Sequence, residues 1–220
     1  MLIWLQETGE VYQGQFGEFT VTRQDRLGVV IYRTALTTAA LAVALATALT
    51  VTAPASLPLT ALRGLFIVFC SALGVSLWTI HIYLKPLHQL LQLLWALGSA
   101  VALGIVLLNP QPLPLVLYTP HSVALVGVGL VFVALVGLFV KEAFCFNRWQ
   151  AKLLVVLVPS LLLGHWLGLL SIEMEKTLLC IWAAIFLWFV LDKDTQAIPP
   201  DVGDKTVFDY LKHQNHRSAD

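Results

Sequence analysis

Long stretches of this chain hold no charge, and the gaps define its elements. No Asp, Glu, Lys or Arg occurs in 34–62, 64–84, 86–140, 153–172 or 177–191. A helix needs about 20 apolar residues to cross a bilayer core. The 86–140 window is long enough for two crossings. Asn109-Pro110-Gln111-Pro112-Leu113-Pro114 divides it, because prolines so close together cannot continue a helix. The pattern predicts six spans, at 34–52, 65–84, 89–108, 122–140, 153–171 and 177–191.

The flanks read differently. In residues 1–33, Phe19 and Val21 alternate with Thr20 and Thr22 among aromatics and glycines, as in a small hairpin. The hairpin leads into an interfacial helix that runs on into the first span. Asp25 is its expected N-cap. Arg26 and Arg33 share a face, with stems along the membrane surface and charges in water. In the 192–220 tail, Pro199-Pro200 ends the last span. Asp204 is expected to cap a short amphipathic helix reaching Lys212, with Val207, Phe208 and Leu211 on one stripe.

Composition agrees with the spans. Hydrophobic residues make up 58% of the chain and charged residues 12%, against about 45–50% and about 25% in soluble domains. Mean hydropathy is +0.81. The fold class is all-α, a polytopic membrane bundle of six helices. A net charge of zero excludes a nucleic-acid binder, which needs a basic patch for phosphates. Cys70, Cys145 and Cys180 form no close pair, so neither a disulfide framework nor a Cys-x-x-Cys metal site is expected.

Orientation follows from loop charge. Six spans leave both termini on one side. That side holds Arg23, Arg26, Arg33, Lys85, Lys141, Arg148, Lys152, Lys193, Lys205, Lys212 and Arg217; the other holds Arg63 and Lys176. Both termini are expected in the cytoplasm, or in the stroma of a plastid. Met1–Leu5 is too short an apolar run for a signal peptide, so the first span is expected to act as its own anchor.

Candidate chemistry is sparse. The chain holds no His-Glu-x-x-His, Gly-x-Ser-x-Gly, phosphate-binding glycine loop or dinucleotide fingerprint. No carboxylate falls within the expected spans, which leaves no coupling acid of the kind ion-driven pumps use. Two intramembrane histidines stand out. His165, between Gly164 and Gly168, reads either as an axial ligand to chlorophyll or haem or as a histidine hydrogen-bonded to a neighbouring helix. His81, near the end of the second span, lies at a different depth and would not share one haem with it. The 141–152 stretch reads as a tight charged turn. Its Lys141, Glu142, Phe144, Phe146, Arg148 and Trp149 suit either an anionic lipid surface or a partner protein.

Lys141-Glu142-Ala143-Phe144-Cys145-Phe146, with Arg148-Trp149 and Ala151-Lys152, is the most specific run. His81-Ile82-Tyr83-Leu84-Lys85-Pro86-Leu87-His88, Leu163-Gly164-His165, Gly203-Asp204-Lys205 and Tyr210-Leu211 accompany it. Together they resemble an uncharacterised integral-membrane family of cyanobacteria and plastids, a domain of unknown function, from about residue 10 to residue 212. The resemblance implies a thylakoid or plasma membrane in a photosynthetic cell and supplies no reaction.

The leading expectation is a non-enzymatic assembly, stabilising or accessory factor for a larger membrane complex. A small-solute transporter or channel is the first alternative, with Ser71, Ser76, Thr79, His81 and His165 along a path. A pigment- or haem-binding protein using His165 is the second.

Overall fold

The computed structural model describes residues 9–52, 59–109, 112–119, 121–207 and 210–211. Among the described residues, these elements follow in order: β1 Val11–Gly14, β2 Gly17–Thr20, α1 Arg23–Thr52, α2 Leu59–Thr79, α3 Lys85–Leu108, α4 Leu113–Tyr118, α5 Val123–Phe146, α6 Trp149–Trp166, α7 Ile172–Thr195 and α8 Pro199–Val202. Among the described residues six helices, α1 to α3 and α5 to α7, are long and apolar enough to cross a membrane. The fold is therefore a polytopic helical bundle.

Its core runs along α1, α2, α5 and α7. Leu36, Ala39 and Ala40 of α1 meet Leu73 and Leu77 of α2, Leu135, Leu138 and Phe139 of α5, and Phe186 and Phe189 of α7. Phe139 stands edge-on to both phenylalanines, with ring centroids 5.1 and 5.6 Å away. This is the geometry that the ring quadrupoles favour. Lipid is as apolar as leucine, so helix association in a membrane depends on close packing. Small residues provide that between α3 and α5. A Cβ added at Gly98 would lie 2.7 Å from the Val131 backbone nitrogen, and one at Gly127 would lie 2.8 Å from Val101 Cγ1. The outward faces carry large apolar side chains such as Trp78, Leu108 and Val123, as lipid contact requires.

Several helix ends differ from the charge gaps. α2 stops at Thr79 and residues 80–84 are non-helical, so His81 sits in a connection and not within a span. Pro86 in the first turn of α3 fixes the new start. α5 continues through Phe146, so the stretch expected as a turn from 141 to 152 is largely helix. The reversal needs only Asn147, at φ +53°, and Arg148. α6 ends at Trp166, with Gly168 in the left-handed conformation after it. His165 therefore lies in the last turn of α6 and not deep within a span. The N-terminal cap of α1 is also one turn earlier than expected. Asp25 Oδ2 accepts from the Thr22 backbone N–H at 2.9 Å, and the Asp25 N–H donates to Thr22 Oγ1 at 3.3 Å. That is a capping box on Thr22, with Asp25 as its distal member.

β1 and β2 pair antiparallel in the register Val11↔Thr20 to Gly14↔Gly17. A hairpin alone is marginal in water. This one rests on a second small core, in which Tyr12 and Phe19 pack over Val21, Val29, Ile198 and Val202.

Candidate functional site

Both described ends of the chain gather at one end of the bundle, called here the terminal end. Four elements, α1, α5, α7 and α8, bring ionisable side chains together there. Glu142 on α5 is 0% exposed and Lys193 on α7 is 1% exposed. Lys193 Nζ lies 2.8 Å from Glu142 Oε2 and also pairs with Asp201 of α8. Glu142 Oε1 accepts from Lys141 Nζ and from the Tyr32 hydroxyl, each at 2.9 Å. Arg33 of α1 donates to Asp201 Oδ2 through Nε at 2.8 Å and Nη2 at 2.6 Å. Its other donors reach the carbonyls of Gln196 at 2.6 Å and Ala197 at 2.9 Å. The Phe146 ring lies 3.8 Å from Lys193 Nζ, a cation–π contact.

Three cations and two carboxylates thus close on one another. The third cation is met by carbonyls just past the C-terminus of α7, where the helix dipole is negative. Charges leave water only when paired in this way. The geometry corrects three expectations. Arg33 does not lie wet on the membrane surface, and Arg26 is also buried. Glu142 is a carboxylate buried within a long apolar helix. Lys141 and Glu142 face inward and do not present themselves to a partner.

A second layer surrounds this cluster. Arg148 pairs with Asp192 and donates to Gln196 Oε1 at 2.6 Å, while Gln150 Nε2 reaches Asp192 at 3.3 Å. Arg148 is therefore spent on α7. Of the residues expected at a docking turn, Phe144 at 90% exposure and Trp149 at 47% remain open. Trp149 stands edge-on to Trp188, with ring centroids 5.2 Å apart.

Beyond this layer the tail clasps the hairpin. Asp204 accepts from the Gln15 N–H at 2.6 Å and from the Thr206 N–H at 2.9 Å. Thr206 Oγ1 accepts from the Phe16 N–H at 3.1 Å. Tyr210 stacks on Phe16, centroids 4.1 Å apart. Lys205 Nζ lies 2.8 Å from Asp25. The Asp204 backbone N–H donates to the Tyr83 hydroxyl. Gly203, at φ +73°, lets the chain turn beneath that ring. Burial works against the Asp204 charge, but hydrogen bonds from Thr206 and the Gln15 backbone outweigh it and hold the carboxyl below its usual range. His81 packs near Gly28, and burial pushes its imidazole below the usual value, which keeps it neutral at pH 7. The expected tail helix is helical at 205–207 and 210–211; Phe208 and Lys212 lie outside the described residues.

The opposite end carries a different group. His165 Nδ1 lies 2.7 Å from Glu175 Oε1 of α7, and the Tyr118 ring packs 5.5 Å from the imidazole. Both His165 and Glu175 line a partly open, almost wholly apolar cavity of about 310 Å³. The glycines beside His165 have local uses. A Cβ at Gly164 would lie 2.7 Å from Leu170 Cδ1, and Gly168 is used in the turn. Lys176 pairs with Glu173 at 3.0 Å.

The residues suggested for a solute path do not converge. Ser71 faces outward, Ser76 bonds to the Tyr32 carbonyl, Thr79 bonds to the Val75 carbonyl, and His81 and His165 occupy opposite ends. Among the described residues no group of three metal-ligating side chains occurs.

No curated protein and no solved structure matches the chain. A family model does match, over residues 75–210. That range takes in the Tyr83 connection, α5 with Glu142, α7 with Lys193, and the Asp201–Asp204 clasp. The chain belongs to the family described as uncharacterized integral membrane protein (DUF2301).

Proposed function

We propose that this protein is a non-enzymatic accessory factor that assembles or stabilises a larger membrane complex, in the photosynthetic membranes to which its sequence resemblance points. The observation that supports this is the clasp. Residues 189 positions apart, Gln15 and Asp204, are bonded over a buried ionic cluster, so the hairpin and residues 199–206 form one platform. An ordered polar platform on an apolar bundle suits capture of a partner. Phe144 and Trp149 at its rim are the contact residues of this reading, since exposed aromatics make interface hot spots. In this reading the platform faces the cytoplasm or stroma.

The test is purification of the tagged protein from its native membrane in mild detergent, with identification of proteins present at near-equal amounts. Phe144→Ala with Trp149→Ala is expected to lower the yield of that partner at least tenfold without changing the yield of the protein itself. Arg148 is a poor probe, because its loss would also strip Asp192. A protein that comes out alone and folded, or capture that ignores both substitutions, rejects the reading.

A further inference from the structure

We infer that the cavity between α1, α2, α4, α5, α6 and α7 at the end opposite the chain ends is a binding site. Its ligand would be a small lipid-soluble alcohol or phenol, whose hydroxyl donates to His165 Nε2. Three observations carry this.

The first is the histidine. A carboxylate can only accept, so the nitrogen facing Glu175 carries the proton; in the tautomer that this pairing selects, Nε2 is the acceptor. The ring lines the cavity, and among the described residues nothing pairs with Nε2. The second is Thr47, which is 7% exposed and also lines the cavity. Its hydroxyl has no hydrogen-bond partner among the described residues, whereas Thr50 one turn on bonds to the Ala46 carbonyl at 2.8 Å. The third is size. About 310 Å³ lies at the lower end of small-molecule sites, which run from about 300 to 1,000 Å³. That is too little for a two-chain lipid. An acyl chain alone would fill the apolar walls but leave the acceptor unpaired, and that costs free energy. A compact apolar body with one hydroxyl satisfies both.

The full chain would be placed in phosphatidylcholine nanodiscs and titrated with 4-hexylphenol and with hexylbenzene, following tryptophan fluorescence, to which Trp182 in the cavity wall contributes. The phenol is expected to bind about fivefold tighter or more relative to its concentration in lipid, the size of one net hydrogen bond. His165→Leu should erase that preference while hexylbenzene still binds. Leu161→Phe, which narrows the cavity without touching the dyad, should weaken both probes. If His165→Leu fails to fold, the comparison of probes on the native chain and the Leu161→Phe variant decide. Equal affinity for the two probes, no saturable binding of either, or indifference to Leu161→Phe overturns the proposal.

Discussion

Glu142 continues a stripe of wholly buried side chains, Leu135, Leu138 and Phe139, at the spacing of one helix face. That register could have been read in the sequence as a sign that the helix runs on and takes the charge inside. A rule that assigns every charge to water misses it, because the compensation is not local. Tyr32 and Glu142 are 110 positions apart, and Arg33 and Asp201 are 168 apart. His165 shows the same limit, since its partner Glu175 comes from the next helix after a turn. Breaking a buried pair by removing one partner costs about 3–5 kcal/mol. Glu142→Gln is therefore expected to lower the unfolding midpoint in detergent sharply, and Lys193→Met likewise. The double variant should be less damaged than the two losses added, because neither partner is left charged and alone. Simple additivity in that cycle would show that the two side chains are not coupled. Tyr32→Phe removes only a hydroxyl donor to a charged acceptor and should cost about 1.5–3 kcal/mol.

The same division between local and distant causes holds for whole helices. The six long helices were legible because desolvation is a property of each stretch by itself, and one missing charge gap would have removed a span. Helix ends were less legible. α2 lost residues 80–84 because Tyr83 bonds to the distant Asp204 backbone and because Pro86 sets the start of α3. The glycines of α3 and α5 were visible as small residues, but their pairing was not. Gly98→Leu should force those helices apart, and overpacking of this kind typically costs about 1–3 kcal/mol. Gly104→Leu, with nothing within 4 Å of its added Cβ, should be close to neutral in the same melt. The clasp of hairpin and tail carries a pH signature. Asp204 titrates below its unfolded value, so the clasp is favoured by the charged form. Its contribution is complete above the unfolded value of about 3.9 and is lost as pH falls through the lower folded value. Amide exchange at Gln15, corrected for intrinsic rate, should quicken relative to core amides on moving from pH 6 to pH 3. In Asp204→Asn it should be fast at both. Protection of Gln15 that is equal at the two pH values would refute the assignment.

At the scale of the molecule, the ion pairs bear on how the chain sits in the membrane. Of the cations at the terminal end, Arg33, Lys141, Lys193, Arg148 and Lys205 are each paired with a carboxylate. The folded platform is thus far less positive than its Lys and Arg count suggests, and net charge would be a weak guide to orientation. Orientation, however, is set while helices insert, before α1, α5, α7 and α8 have met. At that stage Lys and Arg count and carboxylates contribute little. The asymmetry in the sequence, with Arg63 and Lys176 alone on the far side, should therefore decide the topology even though the finished fold neutralises it. The native cysteines make this testable. Cys145 is exposed at the end of α5, and Cys70 and Cys180 lie within α2 and α7. With those two replaced by alanine, a membrane-impermeant maleimide should leave Cys145 unlabelled in intact cells and label it once the membrane is opened. A chain whose only cysteine is Ser171→Cys, at the N-cap of α7 on the far side, should label in intact cells. The reverse pattern would place the platform outside the cytoplasm and remove its access to any partner there. Labelling of both sites without opening would mean that the charge bias, neutralised or not, does not fix one orientation.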